Sequence, residues 1–156
     1  ACGIDMNSAM VEHCKGIGLS VVHGEGLSYL RTLPDESLSA VTGFQVIEHL
    51  SSNQLLELIR TSFDKLKQGG VVVFETINPD CIDTFKNFFV DMTHTRPVYS
   101  SVLKFMFELV GFKDIEVILT SPFDNEMKLV GNDRNTEMLN SYLFGYRDYA
   151  IVGWKL

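Results

Sequence analysis

The stretch Ala1-Cys2-Gly3-Ile4-Asp5-Met6-Asn7 decides how this 156-residue chain is read. A short apolar run ends in an acid, and Asn7 or Ser8 can cap a helix immediately after it. In doubly wound α/β proteins an acid at the carboxyl end of a strand is where ribose hydroxyls are held. A glycine-rich strand-to-helix turn normally lies about 20 residues upstream of that acid. None lies upstream here, so the stretch reads as part of a nucleotide-type fold whose first strand, glycine loop and first helix are missing.

Working outward, strand-like and helix-like segments alternate. A helix from Asn7 or Ser8 to about Lys15 ends at Gly16 and Gly18, and Leu19 to His23 is a short strand. Gly24-Glu25-Gly26 turns into a helix near Leu27 to Leu33, and Ser39 to Phe44 reads as a buried strand. From Ser51 or Ser52, Leu55, Leu58, Ile59 and Leu66 recur at helical spacing, with Gly69-Gly70 as the predicted terminator. Val71 to Thr76 is continuously apolar until its last residues, as central parallel strands are. Such alternation indicates βαβ units and a parallel sheet. Residues 78–97 show no periodicity, and a loop of that length reads as a lid or binding segment, the acceptor-site loop of 78–98. A helix over Tyr99–Val110, strands over Asp114–Thr120 and Asp148–Trp154, and a helix over Asn132–Phe144 complete a single domain over 1–156.

Composition narrows the function classes. Apolar residues at 46% and charged residues at 21% are globular values, and a net charge of −7 without a basic run argues against nucleic-acid or anionic-membrane binding. Cys2, Cys14 and Cys81 are too few and too scattered for a disulfide framework or a zinc site, so reduced thiols in a cytoplasmic, unexported protein are the simplest reading. No apolar run approaches the ~18 residues of a membrane span.

In this order and spacing, Gly3-Ile4-Asp5, Gly24-Glu25-Gly26, Phe44-Gln45-Val46-Ile47-Glu48-His49-Leu50 and Leu66-Lys67-Gln68-Gly69-Gly70 resemble the post-glycine-loop half of a class I S-adenosylmethionine-dependent methyltransferase, type 11/12. Glu75-Thr76-Ile77-Asn78-Pro79, Asp91 to Pro97 and the segments Leu139 to Gly145 and Asp148 to Gly153 are similar to a bacterial and archaeal subgroup associated with polysaccharide or glycosyl-transfer pathways. The resemblance implies strands 2 to 7 of a seven-stranded sheet ordered 3-2-1-4-5-7-6, S-adenosylmethionine as cofactor, and a small-molecule or saccharide-linked acceptor.

It also implies roles for particular residues. Asp5 would accept the ribose hydroxyls, and Met6 would lie on the adenine face; the plainer alternatives are a helix-start acid and ordinary core. Glu25 stands where the family usually has an Asp for the adenine amino group, or is a solvated turn acid, with Gly26 and Leu27 along the adenine edge. Phe44 and Gln45 end a strand on the carboxyl rim, where a backbone carbonyl takes the cofactor's amino group. His49 is a general base or a histidine packed on its loop, while Glu48 orients the turn. Asp91, Thr93, His94 and Arg96 bind a hydroxylated or anionic acceptor, with His94 as a second candidate base, or form a self-stabilised loop. Asn78, at the end of the fifth strand on the same rim, would line the acceptor site. His49 and His94 alone, with no third ligand in view, predict no metal site. Without the glycine loop, the competing expectation is an inactive fragment or binding module that dimerises through exposed strand edges.

Overall fold

The computed structural model describes residues 1–156. Strand β1 (Gly3–Asp5) leads into helix α1 (Ser8–Gly16), whose first turn is closed by Asn7 Oδ1 accepting from the amides of Ala9 and Met10. Strand β2 (Val21–His23) pairs parallel with β1, and helix α2 (Gly26–Thr32) follows. Strand β3 (Leu38–Phe44) runs into a 3-10 turn at Ile47–His49 and then helix α3 (Ser52–Lys65). Ser51 and Gln54 form a reciprocal capping box at the start of α3.

Strand β4 (Leu66–Ile77) begins directly after Lys65, so the helix ends before the predicted Gly69-Gly70 terminator. The left-handed φ of Gly69, +77°, instead serves an irregularity inside the strand, between the pairs Leu38–Leu66 and Ala40–Val71. The aperiodic stretch from Asn78 also contains a helix, α4 (Thr84–Val90), anchored by Thr84 Oγ1 donating to the carbonyls of Asn78 and Cys81. Its seven residues are too short and too aromatic to show a helical period. Helix α5 (Ser100–Val110), strand β5 (Lys113–Pro122), a 3-10 turn at Asn125–Met127, helix α6 (Arg134–Leu143) and strand β6 (Tyr146–Lys155) complete the chain.

The strands form a two-stranded sheet, β1-β2, and a four-stranded sheet in the order β3-β4-β6-β5. β3 and β4 are parallel, whereas β6 runs antiparallel to both β4 and β5. Placed side by side, these orders reproduce 3-2 and 4-5-7-6 of the methyltransferase sheet. The fold is the Rossmann-like α/β methyltransferase fold.

One buried cluster joins the two parts. Leu27 and Leu30 of α2 pack with Leu55, Leu58 and Ile59 of α3, and the cluster continues through Val72, Phe74, Leu103, Phe107, Tyr149 and Ile151. The core lies tight against β6: a Cβ at Gly153 would stand 2.8 Å from the Phe107 ring, so only glycine admits α5 this closely. Arg31 of α2 also pairs with Glu57 of α3, both about half exposed, which adds little. No helix is long and apolar enough to cross a membrane.

Candidate active site

The carboxyl ends of β3 and β4 carry a connected set of polar side chains. β3 leaves the sheet through Gln45, a non-glycine residue at φ +53°, a backbone state that costs of order 1–3 kcal/mol. The turn is held because the Gln45 amide donates to the Glu75 carbonyl at 2.9 Å, continuing the β3–β4 ladder by one residue. The Gln45 side chain donates to Asp148 Oδ1 of β6 at 3.2 Å. Beyond it, Glu48 turns inward and is 1% exposed, its Oε2 accepting from Thr76 Oγ1 at 2.8 Å.

The 91–97 segment is fastened to this turn. The Thr95 amide and hydroxyl both donate toward the Glu48 carbonyl, at 2.9 and 3.0 Å, and the hydroxyl also reaches the Leu50 carbonyl at 2.8 Å. This brings His94 beside His49, with ring centroids 4.7 Å apart. His94 is nearly buried against Phe88 of α4, and its Nδ1 lies 2.7 Å from the Phe88 carbonyl. A carbonyl only accepts, so Nδ1 carries a proton, and in the neutral ring Nε2 presents a lone pair. His49 Nδ1 lies 2.9 Å from Thr93 Oγ1. The single Thr93 hydroxyl proton is directed to Asp91 Oδ1 at 2.6 Å, so that oxygen accepts from His49 and the His49 Nε2 lone pair is also free. Hydrogen bonds from the Thr93 hydroxyl and amide, with the nearby imidazoles, hold the Asp91 carboxyl below its ordinary range.

The histidines expected as bases are therefore brought together, along with Asp91 and Thr93. The third ligand-type residue that the sequence reading lacked is Glu48: one ligand atom from each of Glu48, His49 and His94 lies within 4.8 Å of the others. Its signal in the sequence was weak, because a Glu beside a strand end reads as an exposed turn acid unless its burial against Thr76 is known. Arg96 is exposed and makes no hydrogen bond or ion pair. Asn78 departs from expectation. It is buried, its amide nitrogen donates to the Tyr146 carbonyl and its Oδ1 accepts from the Asp80 amide, so the side chain serves the fold.

The residues expected around a cofactor lie at the ends of β1, β2 and β3. Asp5 is exposed; its Oδ1 accepts from the Asn7 amide at 2.6 Å, and its second oxygen is free. Met6 and Phe44 are 72% and 58% exposed, apolar surface without a partner. Glu25 is the N-cap of α2, its oxygens accepting from the amides of Leu27 and Ser28. Desolvation pushes this carboxyl up, but those hydrogen bonds and Arg31 outweigh it and hold it below its ordinary range. Gly26 opens that helix, and the Leu27 side chain is committed to the core.

No protein-family model matches the chain. It is 31% identical over 113 residues, 71% of its length, to a Mycolicibacterium smegmatis protein curated as a probable S-adenosylmethionine-dependent methyltransferase, and spans 42% of that relative. A crystal structure of an S-adenosylmethionine-dependent methyltransferase from Archaeoglobus fulgidus is 34% identical and superposes with a TM-score of 0.93, over 99% of this chain and 75% of that one. A Haemonchus contortus phosphoethanolamine N-methyltransferase solved with S-adenosylmethionine, at 15% identity and a TM-score of 0.68, shares the fold. The chain belongs to the class I S-adenosylmethionine-dependent methyltransferase family, whose cofactor is S-adenosylmethionine.

Proposed function

We propose that the protein transfers a methyl group from S-adenosylmethionine to a hydroxyl of a small or saccharide-linked acceptor, activated at the His49–His94 pair. The observation that carries this reading is the pairing itself. Two imidazoles from separate segments meet at the strand ends where open α/β sheets bind ligands, each with its Nδ1 proton fixed and its Nε2 lone pair available. The free oxygen of Asp5 and the exposed faces of Met6 and Phe44 fit the adenosyl half of the cofactor, with the Gln45 backbone and Glu25 beside them. When bound, that cofactor supplies an electrophilic methyl carbon whose bond to sulfur breaks as the acceptor oxygen attacks, leaving the electron pair on sulfur. His49 or His94 takes the hydroxyl proton, the 78–98 segment encloses the acceptor, and the unpaired Arg96 guanidinium orients an acidic or phosphorylated group on it. Three unpaired thiols support a cytoplasmic setting.

A second reading is favoured by the strand order. β1 and β3 each have a hydrogen-bonded neighbour on one side only, so the chain as it stands can act as a binding module that dimerises through those edges. Calorimetric titration with S-adenosylhomocysteine separates the two. Saturable binding supports methyl transfer, whereas no heat at millimolar ligand, together with a dimer in light scattering, sinks it in favour of the module.

A further inference from the structure

Glu48 is the one group in the cluster that a pair of base histidines does not explain. Its side chain is 1% exposed, Oε2 is satisfied by Thr76, and Oε1 has no hydrogen-bond partner. Burying an unpartnered carboxylate oxygen is costly, and a cation is the partner that recovers most of that cost. Both neighbouring imidazoles are held in the form a metal requires. Their Nδ1 protons are engaged by the Phe88 carbonyl and the Thr93 hydroxyl, the outer-shell arrangement that orients metal-binding histidines.

We propose that Glu48, His49 and His94 bind a divalent transition-metal ion, two imidazole nitrogens and one carboxylate, leaving open positions for the acceptor hydroxyl. Two nitrogens and one oxygen are the donor set of open catalytic zinc sites and also suit other first-row divalent ions. The ligand atoms lie within 4.8 Å of one another. At ligand bonds of ~2.1 Å, tetrahedral neighbours stand about 3.4 Å apart, so the three side chains close by an ångström or so around the ion. Asp91 Oδ2, 3.8 Å from His94 Nε2, adds negative charge at the rim. The chelating groups come from the 3-10 turn and the 91–97 segment, so the ion would also pin that segment beyond its Thr95 hydrogen bonds.

The seat of the ion stands on these residues alone; its use rests on the methyl-transfer reading. A hydroxyl bound to the ion loses its proton to solvent at lower pH than a free one, and the resulting oxygen is the nucleophile. With the ion in place the two Nε2 atoms are ligands and the bound hydroxyl loses its proton to solvent; without it the rings take that proton directly.

The test is uptake of Co(II) and Zn(II) by purified, chelator-treated protein. The expected result is one equivalent of Co(II) with the visible absorption of a low-coordinate site, displaced by Zn(II), and weakened about tenfold or more by Glu48→Gln, His49→Asn and His94→Ala. Glu48→Gln keeps the shape of the buried side chain, and circular dichroism identifies any variant that fails to fold. No stoichiometric uptake by folded protein, or uptake that Glu48→Gln and His49→Asn leave unchanged, overturns the site. S-adenosylhomocysteine titrations on the same samples keep the two readings apart. Cofactor binding without metal uptake overturns the metal site alone, and metal uptake without cofactor binding supports it while overturning methyl transfer.

Discussion

Strands β1 and β2 run three residues each and bury none of them, whereas β4 and β6 run twelve and ten and give Val72, Phe74, Tyr149 and Ile151 to the core. The first pair carries Asp5, Met6 and Glu25, three of the residues proposed for the cofactor; the second backs the turn and segment that carry the proposed His49–His94 pair. In the β1–β2 region the two carboxylates bond locally, Asp5 to the Asn7 amide and Glu25 to the amides of Leu27 and Ser28. Around β4 they reach across the chain, Glu48 to Thr76 and Thr95 to Glu48. On the proposed reading, the difference teaches that an acceptor at the His49–His94 pair would meet groups preorganised by the core, while a cofactor at Asp5 and Glu25 would meet a ribbon held through α2 packing against α3.

The largest expected effect lies on the chemical side. His94→Ala lowers kcat by about 10²–10⁴, or about 3–5 kcal/mol in the barrier, with S-adenosylhomocysteine affinity unchanged. Steady-state kinetics with calorimetry checks this, and a matching loss of cofactor affinity would break the division between the two regions. Next, Phe74→Ala costs about 3–5 kcal/mol in urea unfolding, whereas Val22→Ala on the exposed ribbon stays within about 1 kcal/mol. Equal costs would show a single uniform structure. Hydrogen exchange sharpens the contrast further: amides of β1 and β2 open at lower free energy than those of β4 and β6, and cofactor product raises protection in the ribbon first. The smallest effect is electrostatic. Carbon-13 NMR should find Asp91 titrating below the usual carboxylate range, with Thr93→Val moving it up. Because the folded value is depressed, this contact stabilises the loop above the unfolded pKa and is lost as pH falls through the folded one.

The strand–helix alternation was legible because its signals are local: Asn7 caps α1, Ser51 and Gln54 box α3, and Val71 to Phe74 is apolar without interruption. The same locality misled at Gly69, where a glycine pair suited a helix end and the chain had already entered β4. α4 escaped notice because its order comes from Thr84 and Phe88 packing inward rather than from propensity. At the site, His49 and His94 stood out as residue types. Their meeting depends on Thr95 tying two distant segments together, and Glu48 gained its importance only through burial, neither of which a linear pattern encodes.

The position of β6 has a consequence for how the molecule is made. β5 has β6 as its sole partner, and β6 also completes β4, so the sheet order β3-β4-β6-β5 cannot close until residues 146–155 have been synthesised. Until then Val117, Ile118 and Leu119 lie on an unpaired strand, and closure requires long-range antiparallel pairing, the slow kind. The interval between synthesis of β5 and arrival of β6 is therefore the window in which this chain is most open to aggregation and to capture by a chaperone.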